Sequence, residues 1–143
     1  MTEAAFSETS KRPPGLGPDE PHLFDSLPFR DVTISDSLFV VDLDNAPALS
    51  NSHGALQGGL VATLIDVAAG RLALANTGTG QAVATSDMTV HYLAPIRQGP
   101  ARASATVVRK GKRLIVVAVD VTDVGGERRA ARATLSFAVL DPR

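Results

Sequence analysis

Residues 60–75, LVATLIDVAAGRLALA, decide the fold. The stretch contains no proline, carries only Asp66 and Arg71 as charges, and is dominated by alanine and leucine, both strong helix formers. Asn76 and Gly78 supply a stop. A helix that is apolar almost all round belongs inside something, so the sequence predicts one buried central helix. Just upstream, Gln57-Gly58-Gly59 places two glycines at its N-terminus. Backbone N–H groups there lack intrahelical partners, and glycine lets a ligand approach them closely.

Working outward, the rest reads as strands. Residues 31–44 (DVTISDSLFVVDLD) are β-branched and apolar enough for one strand, straight or bent. Residues 82–93 alternate, with Ala84, Ser86, Met88, Val90 and Tyr92 on one face and Thr85, Asp87, Thr89 and His91 on the other. Residues 101–109, 114–122 and 128–140 alternate likewise. Lys110-Gly111-Lys112 joins the first two of these, and DVGGE (123–127) forms a hairpin turn before the last. One helix and five strands make an α+β fold, an antiparallel sheet curling round the helix. Residues 1–30 hold five of the nine prolines, alternating with glycine and acidic residues, and read as an extended arm ahead of a domain spanning 31–143. Leu23, Phe24, Leu27 and Phe29 are its candidate anchors.

Composition narrows the function classes. A chain of 143 residues with 14 Lys+Arg against 15 Asp+Glu fits one near-neutral domain, unlike a general binder of nucleic acid or membrane surfaces. The absence of cysteine removes thiolate nucleophiles, disulfides and Cys-ligated metal sites together; no metal or cofactor is expected. No apolar run reaches the ~18 residues of a membrane span. Residues 1–15 lack an apolar stretch after a basic start, so a cytoplasmic location is expected.

Charge is uneven along the chain. Residues 1–66 hold ten acidic and three basic side chains, whereas residues 97–132 hold nine basic and three acidic, a balance of +6. Within that stretch Arg109, Lys110, Lys112 and Arg113 surround a single glycine. Such a cluster repels itself unless an anion visits, which points to a phosphate-bearing ligand. Aromatic side chains for base stacking are nearly absent around it, which argues against nucleic acid.

Asp66 is the informative residue. A buried, isolated carboxylate is costly and needs a reason. Arg71, five positions on, lies about 140° round the helix and does not pair with it locally. Gly59, Ala62, Thr63, Ala69, Gly70 and Ala73 share its face, and all are small, leaving room for a second molecule or helix. Eight residues separate Gly58 from Asp66, about 12 Å along one helix axis. One chain cannot easily bring both to a single carbonyl group, so the spacing predicts a dimer with shared sites.

The run from Asn51 to Gly70, NSHGALQGGLVATLIDVAAG, resembles the signature of hotdog-fold acyl-CoA thioesterases, closest to the phenylacetate-pathway and 4-hydroxybenzoyl-CoA thioesterase group. Asn51, Gly54, Gly58, Gly59, Leu64, Asp66 and Gly70 fall in register with it. DMTVHYLAP (87–95) and RKGKR (109–113) resemble the family's next strand and basic hairpin. The resemblance implies a sheet wrapped round one long helix, a homodimer or dimer of dimers, and hydrolysis of acyl-CoA to free acid and coenzyme A. It implies Asp66 as nucleophile or general base, the Gly58 N–H as polariser of the thioester carbonyl with Gly59 beside it, and Asn51 as orienter of water or carboxylate. Thr85 matches a position where a hydroxyl from the partner subunit places the water. Arg109, Lys110, Lys112 and Arg113 would meet the phosphates of coenzyme A.

One position departs from the pattern: the family's His before Gly-Gly is Gln57. Glutamine can hydrogen-bond the carbonyl or nearby backbone but cannot titrate. His53, four residues earlier, is out of register; His91 falls on the polar strand face and His22 in the arm. The departure keeps a non-catalytic acyl-CoA or lipid-binding protein open as the alternative. A dehydratase of the same fold would pair a carboxylate with a catalytic His, and no such pairing is readable.

Overall fold

The computed structural model describes residues 12–143, so the first eleven residues of the expected arm lie outside the described residues. Six antiparallel strands form one sheet, β1 (Phe29–Ile34), β2 (Leu38–Leu43), β3 (Ala82–Tyr92), β4 (Ala101–Lys110), β5 (Leu114–Asp123) and β6 (Arg128–Leu140), in the order β1-β2-β4-β5-β6-β3. One α-helix, α1 (Gly58–Ala75), links β2 to β3 and is packed across the concave face of β2 to β6. This is the hotdog arrangement of the α+β class.

Sequence patterning explains the packing. Val61, Leu64, Ile65, Ala68, Ala69, Leu72 and Ala73 bury one side of α1. They meet Val41 and Leu43 of β2, Val117 and Val119 of β5, and Leu135 and Phe137 of β6, all essentially free of solvent. Ala101, Ala103 and Ala105 of β4 lie beneath the helix, where small side chains let helix and sheet approach. Each fully buried Leu or Ile contributes about 1.5–3 kcal/mol. The other side of α1, bearing Gly59, Thr63, Asp66, Val67 and Gly70, stays partly open. Ala69 and Ala73, expected on that open side, are instead covered. Contrary to the expectation from the apolar run 60–75, the 18 residues of α1 meet the length and composition of a membrane span, because the helix begins two residues earlier at Gly58. Seven of them are seated against the sheet.

Three local differences from the periodicity have physical causes. Residues 31–44 form two strands rather than one, because Ser35 turns the chain: its Oγ accepts from the Leu38 N–H at 3.0 Å. β1 starts at Phe29, inside the segment read as arm; Phe29 is buried and Phe24 and Leu27 pack on the core, while Leu23 is 68% exposed. His22, which carried no expectation, caps the short 3-10 turn Leu23–Ser26, accepting from the Phe24 N–H at 3.1 Å. Third, β3 carries a bulge at Ser86: Thr85 faces Phe137 and Asp87 faces Ser136 across the β6 ladder. One extra residue reverses the alternation. Thr85 therefore lies on the helix side with Met88, Val90 and Tyr92, not on the opposite face.

Buried ion pairs fasten the edges. Asp31 of β1 points at the helix and takes both terminal nitrogens of the Arg71 guanidinium, Nη2 at 3.1 Å, which gives Arg71 the partner that Asp66 could not be. Asp42, on the convex face, takes Arg102 Nε at 2.8 Å and Nη2 at 3.0 Å.

Candidate active site

Asp66 stands midway along α1 on its open side, partly exposed within one protomer rather than fully buried. The Thr85 hydroxyl donates to Asp66 Oδ1 at 2.8 Å, within the same chain. The Ser86 bulge is the reason it reaches. With Oδ1 so held, Oδ2 remains available to a water or an acyl carbon.

The N-terminus of α1 builds a second cluster. The Leu60 and Val61 N–H groups both donate to the Gln57 carbonyl, at 3.0 and 3.1 Å. Gly58 and Gly59 are left as the first-turn N–H groups with no acceptor among the described residues. A Cβ on Gly59 would meet nothing within 4 Å, so the space before it is open. The helix dipole favours negative charge at this point. A cleft of about 360 Å³ opens beside Gly58, lined by Asn51, Leu56, Val61, Tyr92, Leu93 and Ile96 among others, with no charged side chain in its wall. Asn51 Oδ1 is spent on its own loop, accepting from the His53 N–H at 2.9 Å and the Ala55 N–H at 3.2 Å, so its amide nitrogen is the group it can offer the cleft. Gln57 is exposed and turns back, Nε2 donating to the Ser50 carbonyl at 3.4 Å, away from the cleft lining.

These two clusters do not meet within one chain. Eight residues of straight helix separate Gly58 from Asp66, about 12 Å, and neither Asp66 nor Thr85 lines the cleft at Gly58. The basic hairpin lies elsewhere again. Lys110, Lys112 and Arg113 line a 630 Å³ cleft with Asn76, Thr77 and Gln81 at the far end of α1. Arg109 follows a bulge in β4, paired with Val116, and is not part of that lining. Among the described residues none of these four cations has a carboxylate partner. Asp141 borders the same cleft without pairing to them, so the cleft wall keeps an excess of positive charge.

The model of the thioesterase superfamily matches residues 53–130, more than half of the chain. The chain belongs to the thioesterase superfamily. Thioester hydrolysis is accordingly the general activity that its relatives support. A thioesterase of Haemophilus influenzae superposes with a TM-score of 0.78 over 87% of this chain and 85% of that one, at 17% identity, and so shares the fold. A thioesterase-family protein of Silicibacter pomeroyi gives 0.78 at 27% identity, covering 85% and 90% of the two chains. A Bacillus halodurans protein solved with CoA is 35% identical, with a TM-score of 0.66 over 71% of this chain and 66% of its own.

Of the three histidines in this thioesterase-superfamily chain, His22 caps a turn, His91 is exposed on the convex side, and the His53 carbonyl accepts from Arg97 at 2.5 Å; none lines the cleft at Gly58. No group of three His, Cys, Asp or Glu that could hold a metal gathers among the described residues. The alternation of residues 82–93 places Tyr92 on one strand face and gives it no role. Its hydroxyl donates to the Gly58 carbonyl at 2.7 Å, and the signal that could have found it is its position at the end of the strand facing the helix N-terminus.

Proposed function

We propose that the protein hydrolyses acyl-CoA thioesters as a homodimer, each site combining Asp66 and Thr85 of one protomer with the partner's Gly58, Gly59 and Asn51. The observation that carries this is the Thr85-held Asp66 carboxylate on the open side of α1, beyond reach of its own chain's free Gly58 N–H. β3 supports the assembly: it is an 11-residue strand at the margin of the sheet with its outer edge unpaired, and Met88, Tyr92 and Leu93 are exposed along and just beyond it. A long unpaired edge of this kind is a template for another strand.

In the reaction, the thioester oxygen rests on the Gly58 N–H, which tightens its hold as that oxygen becomes negative. Asp66 either takes the proton of an attacking water and passes it to the leaving sulfur, or attacks the carbonyl carbon to form an acyl–Asp66 anhydride that a water then hydrolyses, regenerating the carboxylate and supplying the proton. The carbon–sulfur bond breaks, the free acid forms, and the coenzyme A sulfur leaves with a proton. The uncharged cleft wall suits an uncharged acyl group. Lys110, Lys112 and Arg113, with Arg109 at the margin, meet the phosphates, and the CoA-bound relative supports that ligand class.

A second reading, binding of acyl-CoA or lipid without hydrolysis, is favoured by Gln57, which lies outside the cleft lining where the related signature carries a His. Thiol release measured over a panel of acyl-CoA esters separates the two. Release that disappears in a folded Asp66→Asn protein supports the hydrolase. Saturable binding with no release over the whole panel overturns it in favour of the binding protein.

A further inference from the structure

Tyr92 ends β3 on the helix side, opposite Ala131 of β6, whose small side chain lets the ring lean over the first turn of α1. Its hydroxyl donates to the Gly58 carbonyl at 2.7 Å, and two ring carbons lie 3.7 Å from where a Gly58 Cβ would stand. The Gly58 carbonyl and the Gly59 N–H are the two ends of one peptide unit. A hydrogen bond donated to the carbonyl draws electron density from the N–H and makes it a stronger donor, as along any hydrogen-bonded chain. The Gly59 N–H has no acceptor among the described residues, and a Cβ on Gly59 would meet nothing within 4 Å.

We propose that Tyr92 is a positioning residue for the hydrolysis, holding and polarising the Gly58–Gly59 peptide so that the Gly59 N–H joins the Gly58 N–H on the thioester oxygen. This rests on the thioesterase reading above. The ring alone, packed against Gly58, would serve only as a wall of the cleft; the hydroxyl is what the proposal needs.

Tyr92→Phe removes that hydroxyl and keeps the wall. The expected result is a kcat about tenfold lower with KM and Tm close to wild type. A spectroscopic signature accompanies it. In the complex with a ketone analogue of the acyl-CoA, methylene in place of sulfur, the carbonyl stretch moves to higher wavenumber in Tyr92→Phe because the oxygen is held less strongly. Tyr92 is the chain's single tyrosine, so biosynthetic replacement by 3-fluorotyrosine alters this hydroxyl alone; its more acidic O–H should move the same band to lower wavenumber. A folded Tyr92→Phe with wild-type kcat and an unmoved band overturns the proposal, as does a loss of rate that follows Tm while the band stays in place. If Tyr92→Phe does not fold, the fluorotyrosine band decides alone. A wild-type protein that releases no thiol from any ester overturns the thioesterase reading itself, whereas an active wild type with an unaffected Phe variant overturns only the role of Tyr92.

Discussion

Thr85 and Asp66 are joined by a 2.8 Å hydrogen bond that exists only because Ser86 is bulged out of the β3–β6 ladder. The bulge turns Thr85 from the convex face to the helix, and the helix presents Asp66 to it one oxygen at a time. Asp66→Asn keeps the shape and removes the charge, so thiol release should fall by about 10²–10⁴-fold, the range of general-base contributions. Thr85→Ala should cost about 10- to 100-fold, and Thr85→Ser should recover most of it, since a hydrogen bond to a charged group is worth about 1.5–3 kcal/mol. Turnover assays on proteins with unchanged far-UV circular dichroism check both. Full activity in Asp66→Asn would remove the carboxylate from the chemistry.

Gly59 offers a test in which stability and activity part company. It lies in the first turn of α1, and an added Cβ meets nothing within 4 Å. Within a helix, alanine is favoured over glycine by up to about 1 kcal/mol. Gly59→Ala should therefore hold or raise Tm while lowering kcat/KM at least tenfold, because the methyl group occupies the approach to the free N–H groups. Thermal melts and acyl-CoA kinetics on the same preparation check it; a variant as active as wild type would mean that no substrate comes that close.

How much of this was legible beforehand varied with the physical signal. The central helix was, because a proline-free apolar run bounded by Gly-Gly and Asn-x-Gly has few other solutions. So was β6, where Ala131, Ala133, Leu135 and Phe137 alternate without interruption. The separation of Asp66 from Gly58 followed from helix rise alone. The face of Thr85 was not legible, because a bulge leaves no mark in the polarity pattern when Ala84, Thr85 and Ser86 are all small. Nor was the tie between Asp31 and Arg71, which depends on a second bulge in β1 and on helix placement over the sheet. Residues 109–113 were visible as a charge cluster, yet their position at the opposite end of α1 from Gly58 required the fold.

Asp123 carries a pH prediction. Burial opposes its ionisation, but N–H donors from Gly99, Gln98, Arg97 and Gly126 outweigh burial and hold the carboxyl below its ordinary value of 3.8. A folded-state value below the unfolded one gives stability that is complete above the unfolded pKa and disappears as pH falls through the folded one. At pH 7, Asp123→Asn should be less stable by about 1–3 kcal/mol, because an amide cannot accept from all four donors with full charge. The gap should narrow below about pH 4, where wild type begins to lose the same contribution. Urea unfolding of both proteins at neutral and acid pH checks it, and a gap that stays constant with pH would show that ionisation of Asp123 contributes nothing.

On the proposed reading, the basic hairpin grips coenzyme A at a distance from the bond that breaks. Lys110, Lys112 and Arg113 border a 630 Å³ cleft at the C-terminal end of α1, unpaired with any carboxylate among the described residues and remote from Gly58 along the same helix. If they hold phosphates, they act equally on ground and transition states, so their loss raises KM and spares kcat. Lys110→Ala with Lys112→Ala should raise KM for acyl-CoA about tenfold or more, and added salt should raise the wild-type KM toward the variant's, since exposed charges are screened. The same acyl group on N-acetylcysteamine, a thiol without the nucleotide, should be hydrolysed equally by wild type and variant. Kinetics on the paired substrates at low and high salt decide the matter: equal loss on both thioesters would place these lysines in the structure or the chemistry rather than in the grip on coenzyme A.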